Sequence, residues 1–188
     1  MSKSQYYCAS SLDGFIAEAD DTLDWLLKYQ GSFEGEGVEP AEGGYERYYE
    51  GVGAVVMGSA TYEFILDEVP GEWPYRGKPA WILTSRDLPV PDGEDVDVRM
   101  VAAQVSDLYD DMMASAAERN LWVVGGGNVA SQFADRGLLD ELLLTVVPVV
   151  LGAGKPLFDR RLPGGPLQLT GTRAFENGMV ELRYEIAR

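Results

Sequence analysis

Leu121-Trp122-Val123-Val124-Gly125-Gly126-Gly127-Asn128-Val129-Ala130 joins a short apolar run to three consecutive glycines and the start of a helical pattern. A continuously apolar run this short, bounded by turn residues, reads as a strand buried on both faces. The helix expected from Asn128 to about Arg136 follows with no spacer. Glycines let backbone approach a bound phosphate closely, and the free N–H groups and dipole of the new helix hold its negative charge. A tight strand-to-helix turn also uses glycine, but three in a row exceed what a turn needs. Gly125-x-Gly127-x-x-Ala130 satisfies the loose dinucleotide fingerprint as well, although no acid for a ribose stands at the end of the next strand.

Val55-Val56-Met57-Gly58-Ser59-Ala60-Thr61-Tyr62-Glu63 repeats the pattern earlier in the chain. Gly53–Met57 reads as a central strand, and Ser59 or Thr61 as the cap of a helix carrying Tyr62, Phe64, Ile65 and Leu66. Two such sites would grip the two ends of an extended dinucleotide; two ordinary capped helices are the plainer alternative.

Further strands are expected at 5–10, 78–83, 96–101 and 140–147, and helices at 45–50 and 105–119. Asp20-Asp21-Thr22 offers caps for a helix through Leu23, Trp25, Leu26 and Leu27. The Gly- and Glu-rich stretch 31–44 reads as a loop and 148–158 as an irregular apolar segment. Leu167–Phe175 and Met179–Ile186, joined at Asn177-Gly178, read as a closing hairpin. The expected architecture is one α/β domain over 1–188. It has three layers, with helices on both faces of a mixed, mostly parallel sheet that ends in an antiparallel hairpin.

Composition narrows the chemistry. The formal charge is −16, from 31 acidic and 15 basic residues, and repels nucleic acid and anionic membrane surfaces alike. Histidine is absent and Cys8 is the single cysteine, which removes hydrolytic triads, internal disulfides and the usual zinc ligands. No metal site is expected, and reactivity is expected to come from a bound cofactor. With no apolar run of about 18 residues and no signal-like N-terminus, a cytoplasmic protein is expected.

Four segments, in order, carry a resemblance: Ser11-Leu12-Asp13-Gly14-Phe15-Ile16-Ala17; Met57–Glu63; Val124–Asn128; and Gly137–Leu142 running on to Pro148-Val149-Val150-Leu151-Gly152-Ala153-Gly154-Lys155-Pro156-Leu157-Phe158. Together they resemble the dihydrofolate reductase-like superfamily, particularly the bacterial group that shares its fold with the reductase domain of riboflavin biosynthesis. The resemblance implies an NAD(P)H-dependent oxidoreductase, akin to 5-amino-6-(5-phosphoribosylamino)uracil reductase, acting on a pteridine, pyrimidine or related ring. It places Gly58, Ser59 and Thr61 by the adenosine-side phosphates and Gly125, Gly126, Gly127, Asn128 and Val129 around the pyrophosphate. Leu83, Thr84, Ser85 and Arg86 border the adenosine and its 2′-phosphate, and Ala9 and Ile16 line the nicotinamide. Ser59 stands where typical dihydrofolate reductases carry arginine. Arg86 is the replacement, which favours NADPH over NADH.

Hydride transfer to a ring needs a proton donor nearby, and Asp24 is the candidate if apolar neighbours bury it; a solvent-facing aspartate is the alternative. The family's helix acid falls on Thr22, so folate itself is not the expected substrate. Thr145 matches a substrate-binding threonine, and Trp25 and Tyr62 are candidates to stack on a ring, each with a core role as the alternative. Asp13 is expected to hold its own turn. Two other functions stay open: a non-catalytic nucleotide-binding protein of this fold, and a Rossmann-type NAD oxidoreductase with a wholly parallel core. Exposed sheet edges near 142–151 and the hairpin suggest a homodimer.

Overall fold

The computed structural model describes residues 2–27, 29 and 45–186; the loop read over 31–44 lies outside the described residues. The elements are β1 (Ser4–Ser11), β2 (Phe15–Ala17), α1 (Asp24–Leu27), α2 (Tyr45–Glu50), β3 (Val52–Gly58), α3 (Ser59–Glu68), β4 (Pro79–Leu83) and β5 (Asp97–Val101). They continue with α4 (Val105–Ser115), β6 (Asn120–Val124), α5 (Gly127–Asp135), β7 (Glu141–Val147), β8 (Lys155–Pro156), β9 (Gln168–Ala174) and β10 (Val180–Glu185). Eight strands form one sheet in the order β5-β4-β3-β6-β1-β7-β10-β9, while β2 and β8 pair separately. Only β10 runs against its neighbours, β7 and β9. A wholly parallel Rossmann core is thereby excluded.

Alternation along the strands divides the core in two. Tyr6, Leu121, Val123, Leu142 and Leu144 face the layer of α4 and α5, where Met112 and Phe133 are fully buried. Val55, Met57, Trp122 and Val124 face the other side, packed with Tyr62, Ile65 and Leu66 of α3 and Tyr48 and Tyr49 of α2. The expected three layers are therefore present, with β3 and β6 covered on both faces as their unbroken apolar sequence implies. Trp25, Val147 and Met179 form a third, smaller cluster under α1.

Local boundaries differ where the third dimension intervenes. Helix α4 stops at Ser115 instead of 119, because Ala117 and Glu118 take positive φ values of 49° and 68° to swing the chain into β6. The expected helix after Thr22 is only one turn. Thr22 instead turns its hydroxyl back on Asp20 at 2.8 Å and on Glu18. In the hairpin, Gly178 (φ 88°) donates its N–H to Phe175 at 3.0 Å, and a bulge lies between Arg183 and Tyr184.

Buried phenols give the fold a defined alkaline limit. Burial pushes the hydroxyls of Tyr6 and Tyr75 well above their ordinary value of 10.0. Because the folded-state value is raised, this stabilisation is complete below about 10 and is lost as pH rises beyond it. The melting temperature should accordingly stay level, as far as these groups are concerned, from neutral pH to about 10 and then fall. Tyrosinate absorbance should lag behind that of free tyrosine until unfolding. A melting temperature independent of pH across that range would contradict the burial of both rings.

Candidate functional site

The two glycine-rich segments meet. Strands β3 and β6 are parallel neighbours, with Val56 opposite Val123, so Gly58 and Gly125 stand side by side at the same sheet edge. From β3 the chain runs outward to β4 and β5, and from β6 it crosses β1 to β7. Helix α3 leaves toward one face and α5 toward the other. Such a reversal opens a crevice beyond the carboxyl ends of the strands, where ligands of open α/β sheets bind.

Distances tie the crevice together. Gly125 and Gly126 have φ of 57° and 75°. A Cβ on Gly125 would lie 3.2 Å from Thr61 Oγ1, and one on Gly58 would lie 3.4 Å from Val129 Cγ2. The sequence suggested separate grips on two ends of a ligand; the structure makes them one wall. The third glycine has another task, since a Cβ on Gly127 would meet the Pro156 and Leu157 carbonyl oxygens at 2.5 and 2.7 Å. That close approach joins α5 to the Gly-Lys-Pro-Leu segment. Neither Ser59 nor Thr61 caps α3: Gly58 is the N-cap, with no side-chain bond. Asn128 is turned aside, donating to Asp159 at 2.6 Å and accepting from Gln132 at 2.7 Å.

Beside β3, strand β4 delivers Leu83, Thr84, Ser85 and Arg86 to the same edge. Arg86 donates its amide to Thr84 Oγ1 at 3.0 Å, and its guanidinium grips Glu63 of α3 through two bonds of 2.9 and 2.6 Å. Both side chains are exposed, and such a pair exchanges readily for another anion. The crevice thus carries a planar cation, suited to phosphate, on an otherwise acidic molecule.

On the far side of β6, Ala9 of β1 stands opposite Thr145 of β7, and Ala9 packs against the Trp25 cluster. Ile16 lies on β2, which pairs with β8 and so fixes the loop after β1 to the 148–158 segment. Asp13 does more than hold its own turn. It accepts from the backbone N–H groups of Leu151 at 3.1 Å and Gly152 at 2.7 Å, and from the Ser11 hydroxyl at 2.6 Å. These bonds, led by that of Ser11, hold its carboxyl below the usual range.

Three sequence candidates need correction or qualification. Tyr62 is fully buried, edge-on to Trp73, with its hydroxyl donating to the Pro89 carbonyl at 2.6 Å; it is a core residue with no face left for a ring. Asp24 is exposed on α1, so the buried apolar setting expected of it is not there. Trp25 is buried at the site's margin, its Nε1 without a hydrogen-bond acceptor among the described residues.

Sequence reasoning missed Glu181. This carboxylate sits on β10 opposite Thr145, and only 5 % of the residue is exposed. Burial first, and then the charge of Glu181, pushes the Tyr7 hydroxyl up to about 12. The signal was the alternation of β10, where Glu181 shares the face opposite to Leu182 and Tyr184 and follows the buried Met179 two positions on.

A mixed, mostly parallel sheet with glycines meeting at its reversal point and a closing antiparallel hairpin defines an α/β protein of the dihydrofolate reductase-like fold. The sequence profile described as the RibD C-terminal domain matches residues 73–181. Over 182 residues, 97% of each chain, this protein is 33% identical to the uncharacterized protein YwjB of Bacillus subtilis. The crystal structure of a putative riboflavin biosynthesis protein from Shewanella sp. PV-4 superposes with a TM-score of 0.79 at 27% identity, covering 99% of both chains. Dihydrofolate reductase HdrB of Haloferax volcanii is 37% identical over 84 residues, 44% of this chain and 40% of that protein. The chain belongs to the RibD C-terminal domain family, within the dihydrofolate reductase-like proteins. No described helix is long and apolar enough to cross a membrane.

Proposed function

We propose that this protein reduces a small heterocycle, a pteridine, pyrimidine or related ring, by hydride transfer from a nicotinamide nucleotide, with NADPH preferred. The observation that carries the proposal is the meeting of Gly58 with Gly125 and Gly126 at the switch point. Positive φ there turns the backbone at the opening of α5, and the first amides of a helix have no partner within it. A side chain on Gly125 would fill the space against Thr61, so the crevice fits a dinucleotide that lies along bare backbone.

When bound, the coenzyme supplies the hydride. The chain's residues bind and orient: Gly125, Gly126 and the start of α5 take the pyrophosphate, Ser59 and Thr61 the adenosine-side phosphates, and Leu83 to Arg86 the adenosine. Ala9 and Ile16 border the nicotinamide, and Trp25 and Thr145 lie on the substrate side. Asp24, being exposed, would act as proton donor only in contact with the bound ring; otherwise water fills that role. A soluble homodimer in the cytoplasm is the proposed setting.

Titration with NADPH is expected to quench the fluorescence of Trp25 or Trp122, and NADH to do so more weakly. Arg86→Ala should lower the affinity ratio of NADPH to NADH by about tenfold, the loss of one charge-assisted contact. Failure of either coenzyme to bind folded protein would overturn the proposal. An unchanged ratio in Arg86→Ala would remove Arg86 as the discriminator.

A further inference from the structure

Arg86, the cation proposed above for the 2′-phosphate, already holds an anion. Its guanidinium donates to both oxygens of Glu63, at 2.9 and 2.6 Å. Carboxylates and phosphates are bound by the same planar fork of donors, so the two compete for one guanidinium. The side chains of Arg86 and Glu63 are 53% and 41% exposed, which leaves the pair open to a rival from solvent.

Neighbouring bonds fasten the turn after β4 without this pair. Thr84 donates its amide to the Val101 carbonyl at 2.9 Å, Arg86 its amide to Thr84 Oγ1 at 3.0 Å, and Leu88 its amide to Met100 Sδ at 3.4 Å. Tyr62, next to Glu63 on α3, ties the helix to the same segment through its bond to the Pro89 carbonyl at 2.6 Å. The backbone of Arg86 is thus held on its own account, and the guanidinium can leave Glu63 without any strand moving. An exposed ion pair adds little to stability in any case.

Position puts the pair on the wall proposed for the coenzyme. Gly58 is the register partner of Leu83, so α3 and the turn after β4 leave the sheet side by side. Ser59 and Glu63 stand four apart on α3 and share one face of it. That face runs from the hydroxyl proposed for the adenosine-side phosphates to the carboxylate on Arg86. Any phosphate that reaches Arg86 meets in Glu63 a like charge that it must displace.

We propose that Glu63 is a specificity-determining residue of the coenzyme site: it occupies the Arg86 fork in place of the 2′-phosphate, and so handicaps NADPH without affecting NADH. This rests on the reductase reading above and deepens it, because coenzyme preference becomes a balance of two anions on one guanidinium. NADPH displaces the carboxylate, whereas the uncharged 2′-hydroxyl of NADH leaves the pair closed. Neutralising Glu63 therefore widens the preference for NADPH. Loss of a pair that served only the fold would not.

The test measures the affinities of NADPH and NADH by tryptophan quenching at an ionic strength of about 0.15 M, where distant charges are screened. Adenosine 2′,5′-bisphosphate and adenosine 5′-monophosphate, titrated by calorimetry, probe the adenosine end alone. Glu63→Gln is expected to bind NADPH and the bisphosphate about fivefold more tightly than wild type, with NADH and the monophosphate changed by less than about twofold. In an Arg86→Ala background the same substitution should alter NADPH affinity by less than about twofold, because no guanidinium is left to release. The melting temperature of Glu63→Gln should stay within about 3 °C of wild type. The proposal is overturned if Glu63→Gln binds NADPH no more tightly than wild type, or if NADH gains as much as NADPH. It is also overturned if the full gain persists without Arg86, which would make Glu63 a repelling charge and nothing more. A larger fall in melting temperature with coenzyme affinities unchanged assigns the pair to the fold, and overturns it as well. If neither coenzyme binds wild type, the reductase reading fails and takes this assignment with it. If both bind and their ratio ignores Glu63, only the present assignment has failed.

Discussion

Gly125→Ala is expected to weaken NADPH binding by about tenfold while the protein still folds. At φ 57° an alanine is held in the left-handed region, at a cost of roughly 1–2 kcal/mol. Its Cβ would also stand 3.2 Å from Thr61 Oγ1 and 3.3 Å from Thr61 Cγ2. Either the turn flattens or the first turn of α3 gives way, and both responses spoil the wall proposed to hold the pyrophosphate. Since every 1.4 kcal/mol is about tenfold, the strain alone is of the size predicted. Coenzyme titration by tryptophan quenching checks the affinity, and a thermal melt checks the fold. An unaltered dissociation constant would separate the glycine turn from coenzyme binding.

Gly53→Ala should cause the largest loss of stability of any substitution considered. A Cβ on Gly53 would be placed 1.9 Å from the carbonyl oxygen of Ala116 and 2.6 Å from its carbon, and both are backbone atoms. No rotamer relieves that overlap. The sheet must part from the end of α4, at a cost of about 3 kcal/mol or more. For a domain of this length that is a fall of roughly 6–12 °C in melting temperature. Gly165→Ala is the control: no atom lies within 4 Å of its Cβ, and the change should stay within about 0.5 kcal/mol. Equal melting temperatures for the two variants would refute the close contact at Gly53.

The same glycine contacts show what could be foreseen. Val-Val-Gly-Gly-Gly announces a buried strand entering a helix, and that is what β6 and α5 are. It does not announce that the first two glycines turn the chain against Thr61 while the third lets α5 touch the backbone at 156 and 157. Those partners are distant in sequence, and only their meeting distinguishes a conformational need from a packing need. Tyr62 makes the same point in reverse. As an aromatic it was a candidate to stack on a ring, with a core role as the alternative, and its face of α3 is the one the sheet covers. Asp24 has apolar neighbours along the chain and is nevertheless exposed, because a helix of four residues turns it away from the cluster that buries Trp25.

Periodicity and turn chemistry by themselves determined the order of strands and helices, the doubly covered β3 and β6, and the closing Asn-Gly hairpin. These are short-range consequences of side-chain alternation and backbone sterics, so nearest neighbours in sequence suffice to specify them. Tertiary structure alone decided that Gly58 and Gly125 share one crevice, that Asp13 ties down Leu151 and Gly152, and that Glu181 lies buried beside Thr145. Each of those depends on which strands become neighbours. That choice is made by burying two helical layers against a single sheet, and no local stretch of the chain encodes it.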